Sequence, residues 1–297
     1  MDNAVYERVA EQRAVAPATT IAMMYDFDKT LTTKDQQEYT FIPRVDMSAS
    51  EFWNKANKLA AENKMDGILA YMQCMLNEAK YRGVPINRGA FVEYGKDLEY
   101  YSGVREWFER INAYAAGVGV TIEHYIISSG LREIIEGCEI FGHFREVFAC
   151  EFFYDTNNVA VWPKNVVNYT TKTQFLFRIN KGVLDISDDR TLNKYVSENA
   201  RPIPFRNMIY IGDGLTDVPC MKLVKVNGGY SFGVYTTSES ARATAGSLLT
   251  DGRVNFIAPA DYSDGSELDE MVKDVILKIA VEDKLARITT RQLGAGE

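Results

Sequence analysis

The stretch Asp26-Phe27-Asp28-Lys29-Thr30-Leu31-Thr32, which closes the apolar run Ile21-Ala22-Met23-Met24-Tyr25, constrains this chain more than any other. A short apolar run that stops at two carboxylates one residue apart reads as a buried strand carrying acidic groups at its C-terminal end. Side chains alternate along a strand, so Asp26 and Asp28 leave it on the same side. Carboxylates this close repel unless a cation sits between them or one keeps its proton. Either outcome suits chemistry, with one group as nucleophile beside a hard metal ion and the other as proton donor.

Three further segments follow in order. Tyr125-Ile126-Ile127-Ser128-Ser129-Gly130 is an apolar run ending in hydroxyls and a glycine. Thr170-Thr171-Lys172 comes next. Met208-Ile209-Tyr210-Ile211-Gly212-Asp213-Gly214-Leu215-Thr216-Asp217 is an apolar run ending in a second acidic pair. From about Met23 to about Tyr235, this ordered set resembles the four motifs of the haloacid-dehalogenase-like superfamily of aspartate-nucleophile phosphatases, and most closely its phosphoserine-phosphatase-like branch.

The resemblance implies a role for each residue. Asp26 is the nucleophile. Asp28 protonates the leaving oxygen and then deprotonates the attacking water, and its backbone carbonyl binds metal. Ser128 holds the transferring phosphoryl group, with Thr30 and backbone donors at Ser129 and Gly130 beside it. A hydroxyl and free N–H groups at a helix start would form an anion cradle, although an ordinary serine N-cap looks the same. Lys172 pairs with Asp26 and the phosphoryl oxygens. Thr170 or Thr171 reads as an N-cap, which puts Lys172 in a first turn that disfavours a cation, and Lys164 or Lys181 is the alternative partner. Asp213 completes the metal shell, and Asp217 binds ordered water or orients Lys172. The metal set is then Asp26, Asp28, Asp213 and Asp217, and oxygen-only ligands suit Mg²⁺. Asp35 stands where phosphoserine phosphatases carry an acid for the substrate's amino group. The surrounding Thr33-Lys34-Asp35-Gln36-Gln37 departs from the expected pattern, and a solvated linker aspartate is the alternative. Arg82 is the candidate partner arginine in the cap.

Composition narrows the field. There are 41 acidic against 33 basic side chains, and this excess argues against nucleic acid or an anionic membrane surface as partner. The cysteines at 74, 138, 150 and 220 show no metal-ligand spacing, which fits a reduced cytoplasm. The histidines are His124 and His143, too few for a histidine-rich metal site, and His124 reads as a core or edge residue. No basic leader followed by a long apolar run is present, and no segment reaches membrane-spanning length.

The expected fold is α/β, a doubly wound parallel sheet with a small inserted helical cap. Residues 1 to about 20 read as a short polar helix or tail, and 21–27 as the first strand. The catalytic core spans 1–34 and 101–297, and the helical cap 35–100. In the cap, Ser48-Ala49-Ser50-Glu51 reads as a capping box, Asp66 opens a second helix, and Pro85-Ile86-Asn87 breaks it, with Asn87 capping a third. A helix at 103–116, strand 121–128, helix 131–138 and a hairpin over 147–162 turning at Thr156-Asn157-Asn158 follow. A helix after Lys172, a charged extension at 185–200, strands at 207–212, 231–235 and 254–258, and a helix at 266–286 complete the reading.

The function read from the residues and the resemblance together is a Mg²⁺-dependent phosphatase acting on a small phosphorylated metabolite through an aspartyl-phosphate on Asp26. Two alternatives stand beside it: a phosphotransferase using the same intermediate, and a non-catalytic receiver-type domain phosphorylated on Asp26. Asp28 and the inserted cap argue against the receiver. Asp28 has no role in displacing halide, which argues against a dehalogenase.

Overall fold

The computed structural model describes residues 19–236 and 238–294. The tail expected over 1 to about 20 therefore lies almost wholly outside the described residues. Strand β1 is Thr19–Tyr25, and every side chain from Ile21 to Tyr25 is buried. Such an unbroken apolar run, rather than an alternating one, marks a central parallel strand covered on both faces. Strands β2 (Val120–Leu131), β3 (Phe144–Tyr154), β4 (Ala160–Asn165), β5 (Met208–Gly212), β6 (Tyr230–Tyr235) and β7 (Phe256–Pro259) complete one sheet. Its order is β4-β3-β2-β1-β5-β6-β7. Neighbours are parallel except β3 and β4, which form the expected hairpin. In its turn, Asp155 Oδ1 accepts from the Asn157 and Val159 amides, both at 2.9 Å.

The chain leaves β1 toward β2, β3 and β4 on one side and returns to β5, β6 and β7 on the other. The order thus reverses at β1 and β5. In a doubly wound sheet this is where a ligand crevice opens beyond the strand C-termini. Asp26 follows β1 and Asp213 follows β5, so both acidic pairs stand at that point.

Between β1 and β2 lie helices α1 (Ala49–Asn63), α2 (Gly67–Arg82), α3 (Arg88–Tyr94) and α4 (Val104–Gly117). The three expected caps are present. Ser48 and Glu51 form the capping box, Asp66 Oδ1 accepts from the Ile68 and Leu69 amides, and Asn87 Oδ1 accepts from the Ala90 amide. Each cap satisfies amides that the first helical turn leaves without partners. Buried Phe52, Tyr71 and Phe91 join this helical unit to the core. Phe91 stacks on Phe152 of β3 at 5.6 Å, and the Ala160 amide of β4 donates to the Ile86 carbonyl at 2.8 Å.

Beyond β2 come α5 (Arg132–Glu136), α6 (Lys172–Lys181), α7 (Val218–Val226), α8 (Glu239–Thr250) and α9 (Glu267–Gly294). Two expectations shift. β2 runs on through Ser128 to Leu131, so the helix expected at 131–138 shrinks to five residues. Neither Thr170 nor Thr171 caps α6 by its side chain. Asn168 Oδ1 accepts from both the Thr170 and Thr171 amides, and so closes the turn before the helix. The extension at 185–200 is largely exposed. The buried Arg178 guanidinium holds its start through the carbonyls of Asp185 and Ile186 and the carboxylate of Asp189.

His124 is a core residue. Its Nδ1 lies 3.0 Å from the Tyr25 hydroxyl and its Nε2 3.0 Å from Asn112 Oδ1, and burial lowers its pKa to about 3. The four cysteines are buried and free. No helix among the described residues is long and apolar enough to cross a membrane.

Candidate active site

Asp26 is the first residue past β1, and its amide still donates to the Ile211 carbonyl of β5 at 2.9 Å. The backbone then turns sharply. The amides of Thr30, Leu31 and Thr32 all point to the Phe27 carbonyl, and Lys29 adopts a left-handed φ of 58°. Such a backbone is uncommon for a residue with a side chain and is worth noting beside an acidic cluster.

Lys172 organises the cluster. Its ammonium has no solvent exposure and lies 2.9 Å from Asp26 Oδ1 and 2.7 Å from Asp217 Oδ1. The alternative lysines lie elsewhere: Lys164 pairs with Glu151 at 2.8 Å, and Lys181 donates to the Leu192 and Lys194 carbonyls. Asp217 is fully buried, and it also accepts from the Tyr210 hydroxyl at 2.7 Å. Gly212 makes room for it, since a Cβ there would stand 2.7 Å from the Asp217 carboxylate.

One oxygen each of Asp26, Asp213 and Asp217 lies within 4.8 Å of the others. The three carboxylates against one ammonium leave an excess of two negative charges. Burial comes first, then carboxylate repulsion, in pushing Asp26 up to about 7 and Asp213 up to about 8 against the pull of Lys172. An all-oxygen, doubly negative cluster fits a hard divalent cation.

Asp28 stands apart from this cluster. Its Oδ1 accepts from the Gln36 amide at 2.7 Å and its Oδ2 from Gln36 Nε2 at 3.3 Å. Burial, then the negative charges of Asp35 and Asp26, raise its carboxyl well above the usual range. Gly130 permits this arrangement, since a Cβ there would fall 1.8 Å from Gln36 Nε2 and 2.6 Å from Asp28 Oδ2.

Of the other expected residues, Ser129 and Asp35 border the space over the cluster, and Ser128, Thr30 and Arg82 are not among its lining residues. Ser128 is buried, and its Oγ accepts from the Gly130 amide at 2.9 Å, so that N–H is not a free anion donor. The helix-start cradle is also absent, because β2 continues to Leu131. Ser129 Oγ is buried without a partner. Thr30 donates to Asp213 Oδ1 at 3.4 Å. Asp35 is no solvated linker, since Lys29 Nζ lies 2.5 Å from its Oδ2. Arg82 pairs with Asp46 at 3.1 Å and stacks over Tyr81, and it does not line the site.

A cavity of about 290 Å³ opens over the acidic groups. Its lining joins Asp26, Asp28, Asp213 and Ser129 to Trp53, Ile68 and Tyr71 from α1 and α2 and to Gln37. Sequence reasoning missed Gln36, Gln37, Trp53, Tyr71 and Tyr210. Tyr210 carried a faint signal, as the one hydroxyl inside the apolar run before Asp213.

A family model described as haloacid dehalogenase-like hydrolase matches residues 23–222. A protein of Borreliella burgdorferi described as uncharacterized is 27% identical over 282 residues, covering 86% of this chain and 96% of that protein. Among solved structures, a HAD family hydrolase from Salmonella enterica serovar Typhi superposes with a TM-score of 0.52 at 16% identity, covering 82% of this chain and 75% of that one. A substrate-bound phosphoserine phosphatase superposes with a TM-score of 0.52 at 13% identity, covering 86% and 98%. At these identities the two structures share the fold.

Proposed function

This chain belongs to the haloacid dehalogenase-like hydrolase family, and we propose that within it the protein is a phosphomonoesterase acting on a small phosphorylated metabolite through an aspartyl-phosphate. The observation that carries the reading is the unexposed Lys172 ammonium, held between Asp26 and Asp217 at the strand ends with Asp213 in the same cluster. Phosphate monoesters hydrolyse extremely slowly in water, so a covalent route in a strongly charged site is the expected solution. The fold shared with phosphoserine phosphatases supports a small substrate.

In this reading a carboxylate oxygen of Asp26 attacks phosphorus while the bond to the leaving oxygen breaks. Asp28 gives that oxygen a proton, then takes one from the water that hydrolyses the acyl phosphate. Its raised pKa suits an acid that must carry a proton near neutral pH. Lys172 offsets charge on Asp26 and the phosphoryl oxygens. Ser128 keeps its hydroxyl hydrogen for a phosphoryl oxygen, with Ser129 beside it. Asp26, Asp213 and the backbone carbonyl of Asp28 would hold Mg²⁺, and Asp217, already occupied by Lys172 and Tyr210, would reach it through water. When bound, the ion balances the excess negative charge and draws electron density from the phosphoryl oxygens. Residues 35–100 serve as the cap, closing the cavity over a core of 1–34 and 101–297 and keeping bulk water out. Phosphate release from a panel of phosphomonoesters with Mg²⁺ tests the proposal. No release from any ester would refute it, and transfer to added alcohols in place of release would make the protein a phosphotransferase.

Metal removal has a signed pH signature. Asp26 and Asp213 keep protons to about 7 and about 8 when folded, whereas an unfolded aspartate loses its proton near 3.8. Between these values the unfolded chain binds fewer protons, so stability falls as pH rises. In EDTA the melting temperature should therefore decline from about pH 4 to about pH 8, and activity should vanish. Mg²⁺ should restore activity and flatten the decline. A metal-independent melting profile with full activity in EDTA would remove the metal from the site.

Asp28→Asn should separate the acid from the nucleophile. An alkyl phosphate should lose about 10²- to 10⁴-fold in kcat/KM, and p-nitrophenyl phosphate, whose phenolate leaves without much protonation, within about tenfold. Equal losses for the two esters would take the acid role from Asp28.

A further inference from the structure

The aromatic part of the cavity lining is built and fixed. Tyr71, 4% exposed, donates its hydroxyl to the Ser129 carbonyl at 2.7 Å. Trp53 packs edge-on against Tyr71 at 5.9 Å, and its indole N–H donates to Glu38 Oε1 at 2.8 Å. Ile68 completes this apolar face. Both rings thus have their polar ends already hydrogen-bonded, to Ser129 and to Glu38, where they line the cavity. Gln37, only 2% exposed, lines the cavity, and its own Oε1 is enclosed without a partner, out of reach of solvent.

The charges on this side cancel. Asp35 and Lys29 both line the cavity, and they pair with each other at 2.5 Å. Among the described residues no arginine lines it, and its remaining acidic side chains are Asp26, Asp28 and Asp213. A leaving group carrying a carboxylate or a second phosphate would meet those aspartates with no unpaired cation to receive it. An ammonium would have to displace Lys29 from Asp35.

We propose that this cavity selects phosphomonoesters whose leaving group is an uncharged, ring-bearing alcohol, seated on Trp53, Tyr71 and Ile68, with a hydrogen-bonding substituent toward the Gln37 side chain. The proposal rests on the phosphatase reading above for the position of the phosphoryl group. It turns away from an amino-acid phosphoester, because the carboxylate of an amino acid finds no free cation and Asp35 is already paired with Lys29. A flat ring on a rigid aromatic and aliphatic wall gains contact area with little loss of freedom, and a polar ring substituent meets the Gln37 amide that lines the cavity.

Non-hydrolysable phosphonates separate the subsite from the reaction. With Mg²⁺ present, calorimetry compares benzylphosphonate, its three ring-hydroxylated isomers, 2-amino-4-phosphonobutyrate and 3-phosphonopropionate. The ring compounds should bind at least about tenfold more tightly than the other two, and one hydroxylated isomer should exceed the parent. Trp53→Ala should bring the first ratio near one, and Gln37→Leu should abolish the second. Tighter binding of the amino or carboxylate ligand, or ratios unmoved by both substitutions, would overturn the proposal. Should the binding preferences hold while no phosphate ester is hydrolysed, the subsite stands and the phosphatase reading falls.

Discussion

Asp26→Asn should lower kcat for phosphate release by at least about 10⁴-fold, since an amide oxygen cannot form the covalent intermediate. The fold should survive, because Asn keeps the size and an acceptor for Lys172, and the backbone link to Ile211 is untouched. The substitution also removes one of three crowded carboxylates, whose mutual repulsion helps push Asp26 up to about 7. In EDTA at neutral pH, the variant should therefore melt no lower than the parent and can melt higher, a cost of function that its loss reveals. Beryllium fluoride, a phosphoryl mimic, should attach to the parent and not to the variant. Turnover above about 1% of the parent would dismiss Asp26 as nucleophile.

Lys172→Met should damage both activity and stability. The ammonium is buried between Asp26 and Asp217, and removing one partner of a buried pair typically costs about 3–5 kcal/mol because the other charge is left uncompensated. The melting temperature should fall most in EDTA, and Mg²⁺ should recover part of the loss by supplying positive charge at the same carboxylates. Loss of the counter-charge on the phosphoryl oxygens should lower kcat by about 10²- to 10³-fold, comparable to deleting one donor of an oxyanion site. A double variant Lys172→Met with Asp217→Asn should regain stability without regaining rate. If Lys172→Met alone melts like the parent in EDTA, the pair is not balancing buried charge.

What the chain shows to a reader of its sequence is what is locally encoded. β1 and β5 are apolar runs that end in acids, and a parallel sheet brings such ends together, so Asp26, Asp213, Asp217 and Lys172 were all legible. The caps at Ser48, Asp66 and Asn87 were legible for the same reason, since each acts within three residues. Asn168 was not, because Thr170 and Thr171 offer the same capping chemistry nearer the helix. The extent of β2 was hidden because serine and glycine ordinarily end a strand, yet here pairing with β3 carries it on to Leu131. The cavity wall was hidden most deeply. Trp53 and Tyr71 lie on amphipathic helices where the core and the cavity demand the same apolar residues, and only the tertiary packing of α1 on α2 separates the two uses. The Lys29–Asp35 pair forms where Lys29 has a left-handed backbone, which nothing in that residue's chemistry announces.

The place of β1 in the sheet governs how the molecule is made. Thr19–Tyr25 is synthesised before any other strand described here, yet it is bordered by β2 on one edge and by β5 on the other. At about 5–20 residues per second, β1 waits on the order of ten to forty seconds on the ribosome before β5 is synthesised. Throughout that time a largely apolar strand keeps an open edge, which invites pairing with a neighbouring chain. Nascent chains that stall between Lys172 and Met208 would carry the lysine and the first aspartate but no strand to bring Asp217 to the lysine. Such fragments would be both inert and sticky, and their yield should depend on chaperones that shield the strand until translation reaches its second neighbour.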